Sequence, residues 1–278
     1  MSLTQEDFHF VRRLIQEEAG LTLDEDKDYL VTTRLGRLAA DQDAGDIGRL
    51  LQRVRASTDR SLRFAVADAM TIQETYFFRD PWFFTALRED VLPALERARA
   101  GEHTLRIWCA ASATGQEIYS LCLLLEEHFP ELSSWPLEIV ATDFSESALD
   151  YARAGNYSQM EVNRGLPAPL LLKYFTRQGL RWHVRPAIRE RVHFGHLNLV
   201  GAWPPLPQFD LVLLRNVLIY FDDATRRDVL TRVRLQMRSD GYLFMGGTES
   251  PVGLVDGFHA GADGRACYYQ LQQKGTAP

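Results

Sequence analysis

The feature that most constrains the fold is an alternation of strand and helix patterns that begins near residue 104. Apolar runs with the length and composition of buried strands occur at five places: 105–111, 137–143, 209–216, 241–246 and 267–271. Helical patterns lie between them, at 114–127, 145–154 and 223–238. Because parallel strands need crossover connections, which are usually helices, this order predicts an α/β fold with a doubly wound, mostly parallel sheet.

The first 70 residues have a purely helical pattern. Their apolar spacing predicts four helices: one between Thr4 and Gly20, one from Asp24 to about Ala40, and two with apolar residues over 47–54 and 62–70. Thr4 with Asp7 resembles a capping box, and Gly20 can end the first helix. We therefore expect an N-terminal all-helical domain at 1–70, a linker and connecting helix at 71–103, and the sheet domain at 104–278.

Residues 166–199 interrupt the strand–helix alternation. They contain Pro167 and Pro169, a short apolar helix and two strand-like runs, LRWHV and RVHF. We expect a small inserted β-subdomain at about 166–199.

Composition excludes several classes of protein. The 278 residues carry a formal net charge of −6, which argues against a general nucleic-acid binder. The three cysteines (Cys109, Cys122 and Cys267) form no CxxC pair, which favours buried thiols in a reducing cytoplasm over disulfides or zinc ligands. No cluster of histidine and cysteine suggests a metal. The N-terminus lacks a signal-peptide pattern, and no apolar run approaches the ~20 residues of a membrane span, so we expect a cytoplasmic protein without membrane insertion.

Two predicted strands end in segments that could contact a ligand. The first ends in CAASATGQE, whose small residues would let a ligand approach the backbone, although its single glycine, Gly115, fits a tight turn equally well. The second ends in Asp143, which could accept hydrogen bonds from both ribose hydroxyls of an adenosine-type ligand. Asp143 could also be a plain helix N-cap, a role that Ser145 could fill itself.

Other charged and polar residues have a functional and a structural interpretation. Glu117 could hold an ammonium group or simply pair with the dipole of its helix. The segment RNVLIYFDD places Arg215, Asn216 and Tyr220 at the end of a buried strand, where they form either a site or a polar strand end. Arg79 could clamp a carboxylate or lie on the surface of a packed aromatic turn.

Taken together, several segments resemble the chemotaxis receptor glutamate methyltransferases, the CheR family. They are TIQETYFFRD, RIWCAASATGQEIYSL, EIVATDFSESALDYARAGNY, HLNL, FDLVLLRNVLIYFD and GYLFMGGTES, in the family's order. The resemblance covers nearly the whole chain. It implies a methyltransferase-type sheet that binds S-adenosylmethionine (SAM) as methyl donor and yields S-adenosylhomocysteine, with a receptor glutamate as acceptor.

The resemblance also implies roles at matching positions. Arg79 would hold the SAM carboxylate near the transferred methyl, Glu117 would meet the amino group, and Asp143 would bind the ribose hydroxyls. Tyr220 would approach the sulfonium, which gives Arg79 and Tyr220 catalytic roles.

The remaining cofactor contacts come from other matching segments. Asn198 and Leu199 would line the adenine, and Arg215 with Asn216 would complete the pocket. Gln73 and Thr75 fall where the family contacts the cofactor, although many members have Asn where this chain has Gln73.

The family's helical domain touches the receptor with a basic helix face. Lys27, Arg34 and Arg37 lie at spacings that share one face and would dock the receptor's cytoplasmic helices, or they form an ordinary solvated face. Five arginines from Arg49 to Arg63 would add positive charge. The inserted subdomain resembles the one with which some members grip a receptor's peptide tether. Its turn, FTRQGLRW, is short, so we expect no tether binding.

Three other functions compete with receptor methylation. A non-catalytic SAM-binding signalling module would keep the fold, but the motif residues are intact. A nicotinamide-dependent dehydrogenase is disfavoured because GxGxxG is absent. A small-molecule methyltransferase is disfavoured by the basic helical domain. The chemistry itself needs no base or metal, because a glutamate with a pKa near ~4.3 is already a carboxylate at neutral pH.

Overall fold

The structure is a computed structural model that describes residues 3–57, 60–261 and 268–272. The described residues fall into two compact units. The helical unit takes in Met1–Ile72, Asn198–Trp203 and Tyr220–Asp228, and the sheet unit takes in Gln73–Leu197, Pro204–Ile219 and Val229–Pro278.

Over residues 3–57 and 60–72, the helical unit contains four helices: α1 (Gln5–Ala19), α2 (Asp28–Asp41), α3 (Ile47–Ala56) and α4 (Arg60–Met70). The Thr4 hydroxyl accepts the N–H of Asp7 and so caps α1, while Gly20 ends α1 with a left-handed φ of 71°. The second helix starts four residues later than predicted, because Asp24 begins a turn closed by the Lys27 N–H. α4 packs against α1 and α2, and Val11, Leu35 and Val66 are fully buried between the helices.

In the part of the sheet unit that the structure describes, seven strands pair in one sheet: β1 (Leu105–Ala110), β2 (Leu137–Asp143), β6 (Val192–His196), β7 (Phe209–Leu214), β8 (Met237–Met245), β9 (Phe258–Ala260) and β10 (Tyr268–Leu271). Their order in the sheet is β6-β2-β1-β7-β8-β10-β9. The five strands from β6 to β8 are parallel, and β10 runs antiparallel to β8 and β9. The predicted doubly wound, mostly parallel sheet is therefore confirmed.

Further helices precede β1 or connect the strands. They are α5 (Pro81–Ala86), α6 (Leu92–Arg99), α7 (Gln116–His128), α8 (Pro130–Ser134), α9 (Glu146–Ala154), α10 (Gln159–Asn163), α11 (Ala168–Tyr174), α12 (Pro186–Arg189) and α13 (Asp223–Gln236). A π-helical turn (Leu87–Val91) joins α5 to α6, and a 3-10 turn spans Leu218–Tyr220. The hydrophobic core of this unit includes residues of β1, β7 and α7, among them Ile107, Tyr119 and Leu211, which are fully buried.

The inserted subdomain differs in extent from the prediction. Among the described residues, its sheet has three strands, β3 (Asn156–Ser158), β4 (Phe175–Gln178) and β5 (Arg181–Val184), with β5 in the middle. β3 lies before the predicted start at 166, and the RVHF run belongs to β6, which pairs with β2 in the large sheet. The sequence pattern identified β5 and β6 but could not assign their partners, because pairing depends on the path of the chain.

Two further observations bear on the sequence predictions. In the part of the chain that the structure describes, no helix is both long and apolar enough to cross a membrane. Cys109 and Cys122 are buried free thiols, whereas Cys267 lies outside the described residues.

Candidate functional site

The strand order reverses between β1 and β7, so a crevice is expected at the carboxyl ends of these two strands. The chain leaves β1 towards β2 and β6 on one side and returns to β7 on the other side. In open α/β sheets, ligands bind at such a reversal of strand order. The residues that follow Ala110, Asp143 and Leu214 are therefore the candidates for a ligand site.

The loop after β1 has a constrained backbone. Ala111 and Ala113 have φ values of 59° and 48°, and Gly115 has 90°. A Cβ atom on Gly115 would lie 2.9 Å from the Cβ of Ala152 on α9, so only glycine fits this close approach. Positive φ at residues other than glycine is costly and concentrates at functional sites. Buried Ser112 lies in the same loop, and its hydroxyl has no hydrogen-bond partner among the described residues.

Asp143 connects this loop to the one that follows β2. Its carboxylate accepts the N–H of Ala113 at 2.8 Å and the N–H of Ser145 at 2.9 Å. Ser145, rather than Asp143, is the N-cap residue of α9, since its hydroxyl accepts the N–H of Ala148. The buried acid thus fixes the backbone of both loops at the strand ends.

Arg215 is the buried cation of the site. Its side chain is fully buried, and its guanidinium pairs with Glu117, donates to Asp80 at 2.6 Å and lies 4.0 Å from the ring centroid of Phe83. Two carboxylates and an aromatic face compensate for the desolvation of this charge. Its Nε has no hydrogen-bond partner among the described residues. Sequence motifs indicated Arg215 and Glu117 but not Asp80, whose only local signal is its place beside Arg79.

The linker that carries Arg79 is held in an irregular conformation. Phe78 and Asp80 have positive φ values of 53° and 64°, and the N–H of Phe78 donates to the hydroxyl of Ser120 on α7 at 2.9 Å. The guanidinium of Arg79 donates to the carbonyl oxygen of Glu74 at 2.7 Å and lies 5.7 Å from the ring of Tyr76. Gln73 and Thr75 lie in the same linker and are half-buried.

The segment after β7 begins with a strained residue. Asn216 has a φ of 58°, and its N–H donates to the carboxylate of Glu249 at 2.6 Å. Glu249 was not predicted as a site residue, although it lies in the segment GYLFMGGTES. The sequence offers no pattern that relates positions 216 and 249, which are 33 residues apart.

Three of the residues predicted to contact the cofactor or to act in catalysis belong to the helical unit. The Asn198 amide donates to the carbonyl oxygen of Glu18 at 2.6 Å and accepts the N–H of Val200 at 3.1 Å. Leu199 is buried. The carbonyl oxygen of Tyr220 accepts the N–H of Thr22 at 2.8 Å. Within this unit, Asn198 and Tyr220 thus tie the chain segments after β6 and β7 to the region around the end of α1.

The predicted docking cations have different environments. The guanidinium of Arg34 donates to the carbonyl oxygens of Met70 and Thr71 at 2.7 and 2.8 Å, so it caps the C-terminus of α4. Burial lowers the pKa of Arg34. Lys27 lies 3.5 Å from Asp26, and Arg37 is exposed. Lys27 and Arg37 are therefore the better placed of the three for a partner.

Arginines of α3 and α4 are also engaged within the helical unit. Arg55 pairs with Asp7 at 2.8 Å, and Arg63 pairs with Glu18 at 2.6 Å. Ion pairs of this kind reduce the positive field available to a partner.

The buried thiols and acids of the described residues do not form a metal centre. No group of three or more His, Cys, Asp or Glu side chains in the described ranges could hold a metal ion. Cys109 donates to Glu117 at 3.6 Å, and burial raises the pKa of its thiol well above the usual value. Burial likewise raises the pKa of Cys122 to about 12. Both thiols are therefore protonated at neutral pH.

Comparisons with known proteins match both parts of the chain. The family model described as "CheR methyltransferase, SAM binding domain" matches residues 73–260, and the model described as "CheR methyltransferase, all-alpha domain" matches residues 6–71. Among solved structures, the glycopeptide N-methyltransferase MtfA is 16% identical and covers 58% of each chain with a TM-score of 0.33, a likeness too low to bear on function.

Curated relatives extend over almost the whole chain. Chemotaxis protein methyltransferase 1 of Pseudomonas aeruginosa is 42% identical over 92% of this chain and 94% of its own length. Chemotaxis protein methyltransferase Cher2 of Pseudomonas putida is 40% identical over the same shares. The unpartnered buried hydroxyl of Ser112 and Nε of Arg215, beside the strand ends, fit a polar ligand such as SAM. The chain therefore belongs to the CheR methyltransferase family and is a SAM-dependent methyltransferase.

Proposed function

We propose that this protein transfers the methyl group of SAM to glutamate side chains of methyl-accepting chemotaxis receptors and forms glutamyl methyl esters. The family membership and the names of the Pseudomonas relatives support a chemosensory role. We place the reaction in the cytoplasm, at the cytoplasmic helices of the receptor.

One observation in the sheet unit carries the choice of acceptor: the acids of the site are all engaged in internal contacts. Glu117 and Asp80 pair with Arg215, Asp143 accepts two backbone N–H groups, and Glu249 accepts several more. None of them is placed as a general base, so the site suits a nucleophile that needs no deprotonation. A glutamate carboxylate, with an ordinary pKa near ~4.3, is such a nucleophile at neutral pH.

The reaction balances without a further reactant. SAM, when bound, supplies a methyl group on a sulfonium. A carboxylate oxygen of the acceptor forms the new bond to the methyl carbon, the carbon–sulfur bond breaks, and S-adenosylhomocysteine remains as product. The protein contributes position and electrostatics, and good positioning can supply ~7–11 kcal/mol.

The residues of the sheet unit would hold the methyl donor. We assign the donor's amino group to Glu117, its carboxylate to Arg79 and its ribose hydroxyls to Asp143, with Gln73, Thr75 and Asn216 as further contacts. Arg215 is itself fully buried and bonded to Glu117 and Asp80, so we assign it the task of fixing those two carboxylates. Such pre-orientation lowers the reorganisation that the reaction requires.

The remaining predicted contacts keep the roles that the family resemblance implies. We assign the adenine to Asn198 and Leu199, and the region of the sulfonium to Tyr220. The receptor would meet Lys27 and Arg37, while Arg34 supports α4 from within. Because methylation removes a negative charge from a receptor helix, the product would shift a signalling equilibrium.

A labelling experiment tests the proposal. Full-length protein is incubated with methyl-labelled SAM and a receptor cytoplasmic fragment, and the label is then exposed to mild base. We expect label on the wild-type fragment, release by base as methanol, and no label on a fragment whose acceptor glutamates are changed to alanine. Base-stable label would refute a glutamyl ester. Binding of SAM by calorimetry with no transfer to any receptor fragment would favour a non-catalytic signalling module instead.

A further inference from the structure

Five backbone N–H groups converge on the carboxylate of Glu249. Oε2 accepts the N–H of Asn216 at 2.6 Å and that of Gly246 at 2.8 Å. Oε1 accepts three more N–H groups, from Val217 at 3.1 Å, Leu218 at 2.7 Å and Ile219 at 3.3 Å. The residue is 7% exposed, and no cation pairs with it in the described ranges.

The backbone of Glu249 is fixed as well as its side chain. Its N–H donates to the carbonyl oxygen of Gly246 at 2.9 Å, just past the end of β8. Its carbonyl oxygen accepts the hydroxyl of Tyr269 on β10 at 3.4 Å. The carboxylate is therefore a rigid support that transmits the geometry of β8 and β10 to the segment after β7.

Gly246 makes room for this arrangement. A Cβ atom at Gly246 would lie 2.5 Å from Oε2 of Glu249 and 2.6 Å from Nδ2 of Asn216. The side chains of Glu249 and Asn216 thus share a space that only glycine leaves open. Asn216 is held with a φ of 58°, a conformation that needs support from its surroundings.

Both side-chain oxygens of Glu249 act as hydrogen-bond acceptors in this contact. A carboxylate has only acceptor positions, about four in number, whereas an amide replaces one oxygen with an N–H donor. In a glutamine at position 249, that NH₂ group would face two or three backbone N–H groups. At least two buried donors would then lose their acceptor.

We infer that Glu249 is a positioning residue for methyl transfer, which holds Asn216 and the backbone of Val217–Ile219 in the conformation that binds SAM. This inference rests on the proposed role of Asn216 in cofactor binding. Glu249 itself touches neither reactant. A purely structural residue would affect folding alone, whereas a positioning residue also changes cofactor affinity.

The test compares carboxylate-to-amide changes in full-length protein. Glu249→Gln and the control Glu161→Gln are titrated with S-adenosylhomocysteine by calorimetry, and their melting temperatures are recorded. Glu161 is a matched control because its carboxylate also accepts a backbone N–H, that of Ser158 at 2.8 Å, at the start of α10. Asn216→Gly, which tolerates the positive φ, tests the premise.

We expect Glu249→Gln to bind S-adenosylhomocysteine at least tenfold more weakly and to raise KM for SAM without changing KM for the receptor fragment. Glu161→Gln should bind within twofold of wild type. If Glu249→Gln does not fold, Glu249→Asp is tested instead, because aspartate keeps the carboxylate but is shorter by one methylene. Binding of S-adenosylhomocysteine at least threefold weaker than in wild type would then support the inference. If the position-249 variant binds S-adenosylhomocysteine as tightly as wild type while Asn216→Gly binds it more weakly, the role of Glu249 is refuted and that of Asn216 stands. Unchanged affinity in both would overturn the premise as well.

Discussion

The hydroxyl of Tyr157 donates a 2.7 Å hydrogen bond to the carbonyl oxygen of Thr114. Tyr157 lies on β3 of the small sheet, and Thr114 lies in the loop that follows β1 of the large sheet. Burial raises the pKa of Tyr157 well above its usual value, so the hydroxyl remains a donor throughout the physiological range. The inserted subdomain is thereby hydrogen-bonded to the loop that contains Ser112, whose buried hydroxyl fits a polar ligand.

Tyr157→Phe should loosen the loop after β1. Loss of the hydrogen bond should lower the free energy of unfolding by about 1 kcal/mol and weaken SAM binding several-fold. Tyr174→Phe is the control, because its hydroxyl donates to Glu127 at 2.6 Å, away from this loop. Chemical denaturation and calorimetry measure both quantities. Equal affinity in the two variants would show that the Tyr157 bond serves stability alone.

Gly165 lies against the linker that carries Arg79. A Cβ atom at this position would overlap the carbonyl oxygen of Phe77, and the φ of Gly165 is 88°. Gly165→Ala should therefore displace the linker, destabilise the protein and sharply reduce SAM binding. Gly179→Ala is matched in backbone strain, with a φ of 60°, but meets nothing within 4 Å. It should cost only about 1 kcal/mol of stability. Similar losses of SAM affinity in both would refute the contact with Phe77 as the cause.

The strands were predictable where their signal is local. β1, β2 and β7 are short apolar runs because both of their faces are buried, and each is visible in the sequence. β3 has three residues and no such pattern, so it was missed. The partner of β6 was also assigned wrongly, since a run of alternating residues carries no record of which strand it pairs with.

The candidate site residues also divide into those with a local sequence signal and those whose contacts depend on distant residues. Motifs indicated Arg79, Glu117, Asp143 and Arg215, because each lies in a recognisable segment. The contacts that hold them depend on distant positions: Arg215 meets Asp80 across 135 residues, and Asn216 meets Glu249 across 33. A single sequence cannot reveal such pairs, because only the folded path brings them together.

Receptor docking should depend on Lys27 and Arg37 and not on Arg34. Lys27→Glu/Arg37→Glu should slow receptor methylation at low salt, approach wild type at high salt and leave SAM binding unchanged, since exposed charges are screened over about 8 Å at physiological ionic strength. Arg88→Glu/Arg97→Glu changes the same charge on exposed residues of the sheet unit and is the control. Equal rates in the two double variants across salt would contradict docking by this face.

Arg34→Glu should behave differently from that pair. It removes the donor to Met70 and Thr71 and sets a carboxylate beside their carbonyl oxygens. We expect a loss of about 2 kcal/mol in the free energy of unfolding, measured by denaturant titration. A variant as stable as wild type would show that Arg34 does not support the end of α4.

Acid should weaken the ion pair between Arg99 and Asp240. Hydrogen bonds from Arg99 at 2.6 and 2.8 Å lower the pKa of Asp240. A carboxyl whose pKa is lower in the folded state stabilises the protein above its unfolded pKa, near ~3.9, and loses that contribution as pH falls through the folded value. Because Asp240 is 44% exposed, solvent screening limits the contribution to about 1 kcal/mol.

Asp240→Asn tests this pH dependence. The difference in unfolding free energy between wild type and Asp240→Asn should be largest near neutral pH and shrink below about pH 4. Asp150→Asn is the control, because Asp150 pairs with Arg153 while its side chain is 76% exposed. Its unfolding free energy should differ little from that of wild type at any pH. A wild-type advantage over Asp240→Asn that persists unchanged at pH 3 would refute the assignment.

Arg79→Ala should abolish most methyl transfer in a folded protein. The proposed contact is a charged pair with the donor's carboxylate, and removal of one partner of such a pair costs about 2–5 kcal/mol, or roughly 30-fold to several thousand-fold in kcat/KM. Arg164→Ala is the sharpest control, because Arg164 contacts the same linker, through Glu74 at 2.6 Å and the ring of Tyr76 at 4.4 Å. If Arg79 acted only by packing on this linker, both variants would lose similar activity. Loss confined to Arg79→Ala, with an unchanged melting temperature, would instead require a direct contact with the reactants.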